Sequence, residues 1–285
     1  MIFRTEIPIS KYPFQISYQD NILLLGSCFS DNIGGFLSNN RFSVLSNPFG
    51  TLFNPVSIAN ALKMTLNPKL FTDDYCYYFN NQWVSFAHHG SFSHPDENQF
   101  KKQIEQQFME TKNFLEKTNF LFITFGTAFC YRFIERNFVV ANCHKIPNTQ
   151  FEKFRLDIDE IVDWYKELIQ MIYSINPALK IIFTVSPVRH LGDGFHENQL
   201  SKAVLHLAVE QLTKEDKVFY FPAYEILMDD LRDYRFYAED LCHPGNNAIC
   251  YIEKIFADSF FSPQTKEKQK EIEKENKFLN HRKRK

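Results

Sequence analysis

Asn21 to Asp31 reads NILLLGSCFSD, and this stretch decides the fold class. The run Ile22–Leu25 is apolar at every position and lacks the alternation of a half-exposed strand. It therefore predicts a strand that is buried on both faces, as in a parallel sheet. Gly26 permits a tight turn at the end of that strand. Ser27 then lies just past the strand's carboxyl end, which is the edge where open α/β sheets bind ligands.

A helix is expected to follow this turn at once. Ser30 or Asp31 can cap it, because both side chains accept hydrogen bonds from the free N–H groups at a helix N-terminus. The remaining free N–H groups would stabilise an anion beside Ser27.

A motif near the other end of the chain contains the two groups that a serine nucleophile needs. A serine hydroxyl reacts slowly without a base, and a histidine base needs a carboxylate to hold its tautomer and stabilise the imidazolium. Asp240 and His243 provide both, and an offset of three residues brings two side chains together on one helical turn. Ser27, Asp240 and His243 are therefore candidate catalytic residues.

Four further short apolar runs predict strands, at Phe42–Leu45, Phe120–Phe125, Ile181–Val185 and Val218–Phe221. Helical patterns lie between and after them, at Pro55–Leu66, Asp96–Lys117, Asp157–Ile175, Asn198–Leu212 and Asn246–Phe256. This alternation predicts an α/β fold, in which a mainly parallel five-stranded sheet carries helices on both faces. We expect a single domain over residues 1–260 and a charged tail over residues 261–285.

Two segments interrupt the alternation and predict β-hairpins, namely Tyr75–Phe92 around Asn80-Asn81 and Tyr131–Ala141 around Glu135–Asn137. Both are expected at the carboxyl edge of the sheet, either as walls of a pocket or as packing elements. The tail from Gln264 onward alternates Lys and Glu, which predicts a solvated helix or a disordered segment.

Composition narrows the range of partners. The formal net charge of -2 gives no reason to expect nucleic acid or an anionic membrane as a partner. No segment approaches the ~20 apolar residues of a membrane helix, and the first ten residues lack a signal-peptide run, so we expect a cytoplasmic location. The six cysteines form no C-x-x-C pair, so neither a zinc site nor a disulfide framework is indicated. The sequence leaves the oligomeric state open.

Five blocks of sequence resemble a known family. Gly26–Ser30, GSCFS, is similar to the signature from which the GSCFA family takes its name, and that family is similar to the SGNH, or GDSL-like, hydrolases. The other blocks follow in the expected order, at Asn47–Pro55, Phe125–Ala128, Ser186–His190 and Asp240–Pro244. Together they span most of the chain.

The resemblance implies a flavodoxin-like sheet with a catalytic triad of Ser27, His243 and Asp240. One departure affects the expected chemistry. SGNH hydrolases carry an asparagine two residues after the glycine of their third block, as an oxyanion donor, whereas this chain has Thr127 and Ala128 after that glycine. Loss of one such donor typically costs about 100- to 1,000-fold in rate.

Several other groups could replace the missing donor or bind the substrate. The backbone N–H groups of Ser27 and Gly50 and the side chain of Asn54 are candidate oxyanion donors. Gly126 and Thr127, from the third block, are expected to line the substrate site.

Polar residues elsewhere allow more than one interpretation. His89 belongs to the group HHGSFSH at residues 88–94, a candidate pocket wall that lacks the ligand spacing of a metal site. Arg189 and His190 follow the fourth strand, where they could bind a substrate carboxylate or phosphate or form a structural ion pair. Cys28 is an alternative nucleophile, although a structural role is favoured because its side chain should diverge from that of Ser27.

These features favour an ester hydrolase that needs no metal or organic cofactor and acts on a small-molecule or glycan ester, such as an O-acyl group on a carbohydrate. Two alternatives stay open. One is an acyltransferase that uses the same site, and the other is a binding protein that keeps the fold with weak catalysis. The missing asparagine supports the binding protein, whereas the retained serine, histidine and aspartate oppose it.

Overall fold

A computed structural model of the chain describes residues 4–9 and 11–283. Its strands are β1 (Asn21–Gly26), β2 (Ser43–Ser46), β3 (Cys76–Phe79), β4 (Gln82–Ser85), β5 (Phe120–Phe125), β6 (Phe129–Phe133), β7 (Phe138–Val140), β8 (Phe151–Arg155), β9 (Lys180–Val185) and β10 (Val218–Tyr220). Its helices are α1 (Cys28–Asn39), α2 (Pro55–Leu66), α3 (Glu97–Leu115), α4 (Ile158–Ile175), α5 (Phe195–Leu212), the short α6 (Ala223–Glu225), α7 (Asn246–Phe260) and α8 (Pro263–Lys283). All predicted strands and helices are present within a few residues of their expected bounds.

The central sheet has five parallel strands in the order β2-β1-β5-β9-β10. Counted along the chain within this sheet, the order is 2-1-3-4-5, which is the flavodoxin order. The order reverses between β1 and β5, and ligands bind at such switch points. Ser27 follows β1 directly at this point. The flavodoxin-like three-layer fold predicted from the sequence is confirmed.

β1, β5 and β9 bury side chains on both faces of the sheet. Leu23 of β1 and Ile123 of β5 face the layer that contains α2, α3, α4 and α5. Leu24 and Phe122, the neighbours of those residues in sequence, face the opposite layer, which contains α1 and α7. Successive side chains on a strand point to opposite faces, so a strand covered on both sides must be apolar throughout. This is the physical reason for the unbroken apolar run in β1.

The cap of α1 differs from the prediction. Ser27 itself is the N-cap, with extended backbone, and α1 begins at the next residue. Ser30 is buried inside the helix, where its hydroxyl donates to Thr124 Oγ1 at 2.8 Å. Asp31 accepts a hydrogen bond from Asn47 Nδ2 at 2.7 Å. The prediction that Ser30 or Asp31 caps the helix is therefore wrong, because the helix starts closer to the strand than expected.

Both predicted hairpins are present. β3 pairs antiparallel with β4, and Asn80 and Asn81 between them have φ of 49° and 60°, as a tight two-residue hairpin turn requires. β6 pairs antiparallel with β7 in the same way. The sequence did not predict β8, which pairs with the other edge of β6. The two hairpins pack together through an aromatic cluster that includes Phe86 and Phe133.

The C-terminal segment is helical as far as residue 283, and residues 284 and 285 of the predicted tail lie outside the described residues. Ile272 of α8 is buried against the fold. Glu275 forms an ion pair with Arg41 at 2.7 Å, and Asn276 donates to the carbonyl oxygen of Asn39 at 2.8 Å. This helix therefore contacts the C-terminal end of α1 and the residues that follow it. None of the helices within residues 4–9 and 11–283 has the length and apolar character needed to cross a bilayer.

Candidate active site

Gly26 brings the ends of β1 and β5 unusually close together. Its φ is +137°, and a Cβ on this residue would lie only 2.1 Å from the carbonyl oxygen of Thr124. The Gly26 N–H donates to Asn47 Oδ1 at 2.9 Å, which ties the turn to the loop after β2. A residue without a side chain is therefore required at the switch point, immediately before Ser27.

Ser27 is fully buried in this structure. Its hydroxyl oxygen accepts a hydrogen bond from the N–H of Phe29 at 3.3 Å, which is the N-cap interaction of α1. Its own N–H, a predicted oxyanion donor, donates to the carbonyl oxygen of Thr124 at 3.3 Å. The hydroxyl therefore lies at the N-terminus of α1, where the helix dipole favours negative charge.

The predicted Asp-His pair is formed. His243 Nδ1 lies 2.5 Å from Asp240 Oδ2, and both side chains are about half exposed. Asp240 Oδ1 accepts hydrogen bonds from the N–H groups of His243 and Cys242, each at 2.9 Å. These backbone hydrogen bonds, together with the imidazole, lower the pKa of Asp240 to about 2. The carboxylate is therefore ionised and fixed in place before any reaction begins.

Ser27 and His243 are not joined by a hydrogen bond in the described part of the chain. The imidazole uses Nδ1 for Asp240, which leaves Nε2 as the atom that could act as a base. The structure brings together two of the three predicted catalytic residues, Asp240 and His243. Ser27 lies at the end of β1, and its hydroxyl is hydrogen-bonded to the backbone.

Arg189 holds the loop that carries His243. Its backbone N–H donates to the carbonyl oxygen of Cys242 at 3.1 Å, and its Nη1 donates to that of Leu241 at 3.2 Å. The guanidinium also lies over the rings of Phe195 and Tyr237. The sequence suggested either a substrate ligand or a structural ion pair, and the contacts observed are hydrogen bonds to the main chain.

Two predicted oxyanion donors make hydrogen bonds within the protein. The N–H of Gly50 donates to the carbonyl oxygen of Asn47 at 2.8 Å. Gly50 has φ of +75°, and a Cβ there would lie 2.2 Å from the Cβ of His89, so this glycine packs directly on His89. Asn54 Oδ1 accepts from the N–H of Ser57 at 2.8 Å and caps α2. Their role as oxyanion donors remains a prediction.

The third block turns away from the edge directly after β5. The N–H groups of Gly126 and Thr127 both donate to the carbonyl oxygen of Phe53, at 2.8 and 3.0 Å. Ala128 is fully buried in the apolar core, and its N–H donates to Ser201 Oγ at 2.8 Å. The position at which the resemblance leads one to expect an asparagine thus faces the core in this chain.

His190 lies beside Gly126. Its Nε2 would be 3.4 Å from a Cβ on that glycine, and its ring packs edge-to-face on Phe53. This Nε2 is buried and has no hydrogen-bond partner among the described residues. Burial, followed by the nearby charges of Lys202 and His243, lowers the pKa of His190 to about 4. The imidazole is therefore neutral near pH 7.

Lys202 is the residue of this region that the sequence analysis missed. It is almost fully buried, and its Nζ donates to the carbonyl oxygens of Gly126 and Ser186 at 2.6 and 2.7 Å. Burial lowers its pKa to about 7. A signal was present in the sequence, since Lys202 falls at helical spacing with Leu205 and Val209 on the buried face of α5.

Cys28 does not have the environment of an activated thiol. Burial and the charge of Asp31 raise the pKa of this thiol, which lowers the fraction of thiolate at neutral pH. Asp31 itself has a pKa raised by burial. The alternative in which Cys28 is the nucleophile therefore loses support.

Comparison with known proteins gives one family match. The model of the GSCFA family matches residues 21–256. No curated protein matches the chain.

Several solved structures share a similar chain trace at 11% sequence identity. A carbohydrate esterase family 3 protein from Talaromyces cellulolyticus has a TM-score of 0.39, with 84% of this chain and 95% of that chain covered. A family 3 carbohydrate esterase from Clostridium thermocellum has a TM-score of 0.39, with 84% and 94% covered. An acetyl xylan esterase from the rumen bacterium Butyrivibrio proteoclasticus has a TM-score of 0.43, with 89% and 64% covered. Similarity at this level indicates nothing about function.

Proposed function

This chain belongs to the GSCFA family, and from that membership and the chemistry of the strand edge we propose that it is an SGNH-like serine hydrolase that cleaves esters. Ser27 is the proposed nucleophile, His243 the proposed base and Asp240 the residue that orients His243. The proposed substrate is an ester, and an O-acyl group on a carbohydrate is the class we favour.

One observation carries the proposal, the 2.5 Å hydrogen bond between His243 Nδ1 and Asp240 Oδ2. A carboxylate bonded to Nδ1 fixes the imidazole in the tautomer whose Nε2 is free to accept a proton, and it stabilises the imidazolium that results. Asp240 has a pKa of about 2, so it keeps its charge throughout. Arg189 donates hydrogen bonds to two main-chain oxygens of the loop that carries this pair, which restricts the position of His243. Such positioning of a base is what catalysis requires.

The proposed reaction has two halves. Ser27 Oγ attacks the ester carbonyl carbon while its proton passes to His243 Nε2. The tetrahedral intermediate then collapses, the C–O bond to the alcohol breaks, and the alcohol takes the proton from His243. Water attacks the resulting acyl-serine with His243 as base, which releases the acid and restores the serine hydroxyl. Apart from the ester and the water, these steps use only groups of the protein.

Catalysis requires a rearrangement of the site relative to this structure. Ser27 Oγ accepts from the N–H of Phe29 and is fully buried, whereas His243 is half exposed. The hydroxyl must become accessible and must donate to His243 Nε2.

A second candidate function, a binding protein with weak catalysis, is supported by that same burial. A serine retained only as the cap of α1 would have its hydroxyl hydrogen-bonded to the helix backbone, which is the arrangement observed. The ionised Asp-His pair favours the hydrolase, because a cap needs no partner of this kind.

Labelling with a fluorophosphonate probe, mapped by peptide mass spectrometry, tests the proposal. We expect one adduct on wild-type protein, located on Ser27 and absent from Ser27→Ala. His243→Ala should react at least about a thousandfold more slowly, because loss of the base removes nucleophile activation. His196→Ala is the matched control, since His196 is an exposed histidine on α5, and it should react like wild type.

Two results would contradict the hydrolase. Folded wild-type protein that takes no label would favour the binding protein. An adduct on Ser27 that forms equally fast in His243→Ala would show that His243 is not the base.

A further inference from the structure

The region around Gly126 contains a group that could replace the missing asparagine. We propose that the Nε2–H of His190 is the side-chain donor that stabilises the oxyanion in this protein. This inference rests on the proposed function, because it names a further residue of the same site.

The position of His190 supports this role. Phe125 of β5 pairs with Val185 of β9, and the chain after β9 leads along the same carboxyl edge to His190. Nε2 would lie 3.4 Å from a Cβ on Gly126, so the imidazole lies beside the third block. In the SGNH hydrolases that this sequence resembles, the asparagine donor belongs to this same block.

The ring is held in a fixed orientation. The His190 N–H donates to Asn198 Oδ1 at 2.9 Å, which ties the backbone to α5. The ring packs edge-to-face on Phe53, with centroids 5.9 Å apart. A donor that is already in position costs no reorganisation when charge develops on the substrate oxygen.

Nε2 also lacks a partner that it should have. The atom is buried from solvent, and none of the residues that the structure describes accepts a hydrogen bond from it or donates one to it. A buried polar atom without a partner destabilises a protein, so its presence calls for an explanation. A substrate carbonyl oxygen that becomes an oxyanion would satisfy this donor.

The charges around His190 favour the neutral ring. Burial and the positive charge of Lys202 both oppose a second proton on the imidazole, and His243 acts in the same direction. A neutral imidazole with its proton on Nε2 donates one hydrogen bond without bringing a buried charge. Lys202 Nζ, bonded to the carbonyl oxygen of Gly126 at 2.6 Å, favours negative charge at the strand edge in its protonated form.

The first experiment is ¹⁵N NMR of the histidine rings, with the His190 signals assigned from the spectrum of His190→Asn. We expect the tautomer with the proton on Nε2, and a shift of that resonance when the fluorophosphonate adduct forms on Ser27. A proton on Nδ1 in the wild-type protein would overturn the inference whatever the activity, because Nε2 would then have nothing to donate.

The second experiment measures hydrolysis of p-nitrophenyl acetate. His190→Ala should lower kcat by about 100- to 1,000-fold, the usual effect of removing one oxyanion donor. KM should stay within a few-fold, and the pH at which activity rises should not move, because that pH reports the base. His190→Asn should recover part of kcat, since an amide also donates.

His206→Asn is the matched control. His206 has a buried Nε2 without a partner among the described residues, like His190, but its ring faces Tyr220 and Tyr224. It should keep wild-type kcat. If both folded His190 variants match wild type, the inference is wrong while the proposed function stands. If wild-type protein neither turns over ester nor takes the label, both the proposed function and this inference fail.

Discussion

Gly26→Ala should strongly destabilise the protein, because this glycine lies where β1 and β5 approach each other. A Cβ at position 26 would lie 2.1 Å from the carbonyl oxygen of Thr124 and 2.9 Å from its carbonyl carbon. Both atoms belong to the backbone of the neighbouring strand, so no side chain can rotate away. The φ of +137° is also a conformation that residues with a Cβ rarely adopt.

The magnitude follows from these two effects. A residue with a Cβ in such backbone geometry costs ~1–3 kcal/mol. Overpacking of a close-packed contact costs about the same again. The total is about 4 kcal/mol, which is a large part of the ~5–15 kcal/mol that stabilises a typical native protein. For a chain of this size, the unfolding midpoint should fall by ~8–16 °C.

Thermal unfolding followed by circular dichroism, with urea unfolding at 25 °C as a second measurement, tests this estimate. Gly35→Ala is the control. Gly35 lies in α1 close by in sequence, and a Cβ there would meet no atom within 4 Å. That variant should be more stable by ~0.5–1 kcal/mol, because alanine favours a helix more than glycine does. A midpoint for Gly26→Ala within about 3 °C of wild type would refute the argument from close approach.

Three further predictions concern buried or partly buried groups. Tyr165→Phe removes a buried hydroxyl that donates to the carbonyl oxygen of Pro55 at 3.0 Å. Urea unfolding should show that the free energy of unfolding falls by about 1 kcal/mol. Unchanged stability would contradict a stabilising role for this hydrogen bond. Lys202 has a folded-state pKa of about 7, below its ordinary 10.5, so the unfolded chain binds more protons between these pH values and stability should rise with pH there. Lys202→Met should remove this contribution. Equal slopes of unfolding free energy against pH in the two proteins would show that burial does not perturb the ammonium. Burial and the charge of Glu273 raise the pKa of Glu253 to about 7, so the folded state binds more protons between pH 4.5 and 7 and loses stability as pH rises. Glu253→Gln should therefore stabilise the protein more at pH 8 than at pH 5. An equal effect at both pH values would be evidence against the raised pKa.

Local sequence was sufficient for most of the secondary structure. The apolar run of β1 predicted a strand covered on both faces, because a side chain on either face of such a strand contacts a packed layer. Asn80 and Asn81 predicted the turn of the first hairpin, since asparagine tolerates the positive φ that this turn requires. Features of this kind depend on a residue and its near neighbours in the chain, so they can be predicted before the fold is known.

Pairings between distant segments could not be predicted in this way. β8 pairs with β6 across a long connection, and its sequence FEKFR has no turn signal that would identify its partner. The start of α1 was misplaced, because the position of Ser27 against Thr124 is determined by the pairing of β1 with β5. The contacts of α8 with the C-terminal end of α1 and with Arg41 are likewise formed between residues far apart in sequence.

The candidate site likewise has features that the sequence predicts and features that only the folded structure shows. The sequence by itself indicated the candidate triad of Ser27, Asp240 and His243, through residue chemistry, the Asp-x-x-His spacing that brings the pair together locally, and the resemblance to a known family. Only the tertiary structure decided that Arg189 bonds the main chain of the His243 loop and that Lys202 bonds two strand-end carbonyl oxygens. The physical reason is that hydrogen-bond partners and burial are properties of atoms brought together from distant parts of the chain, and the order of the strands determines which atoms those are.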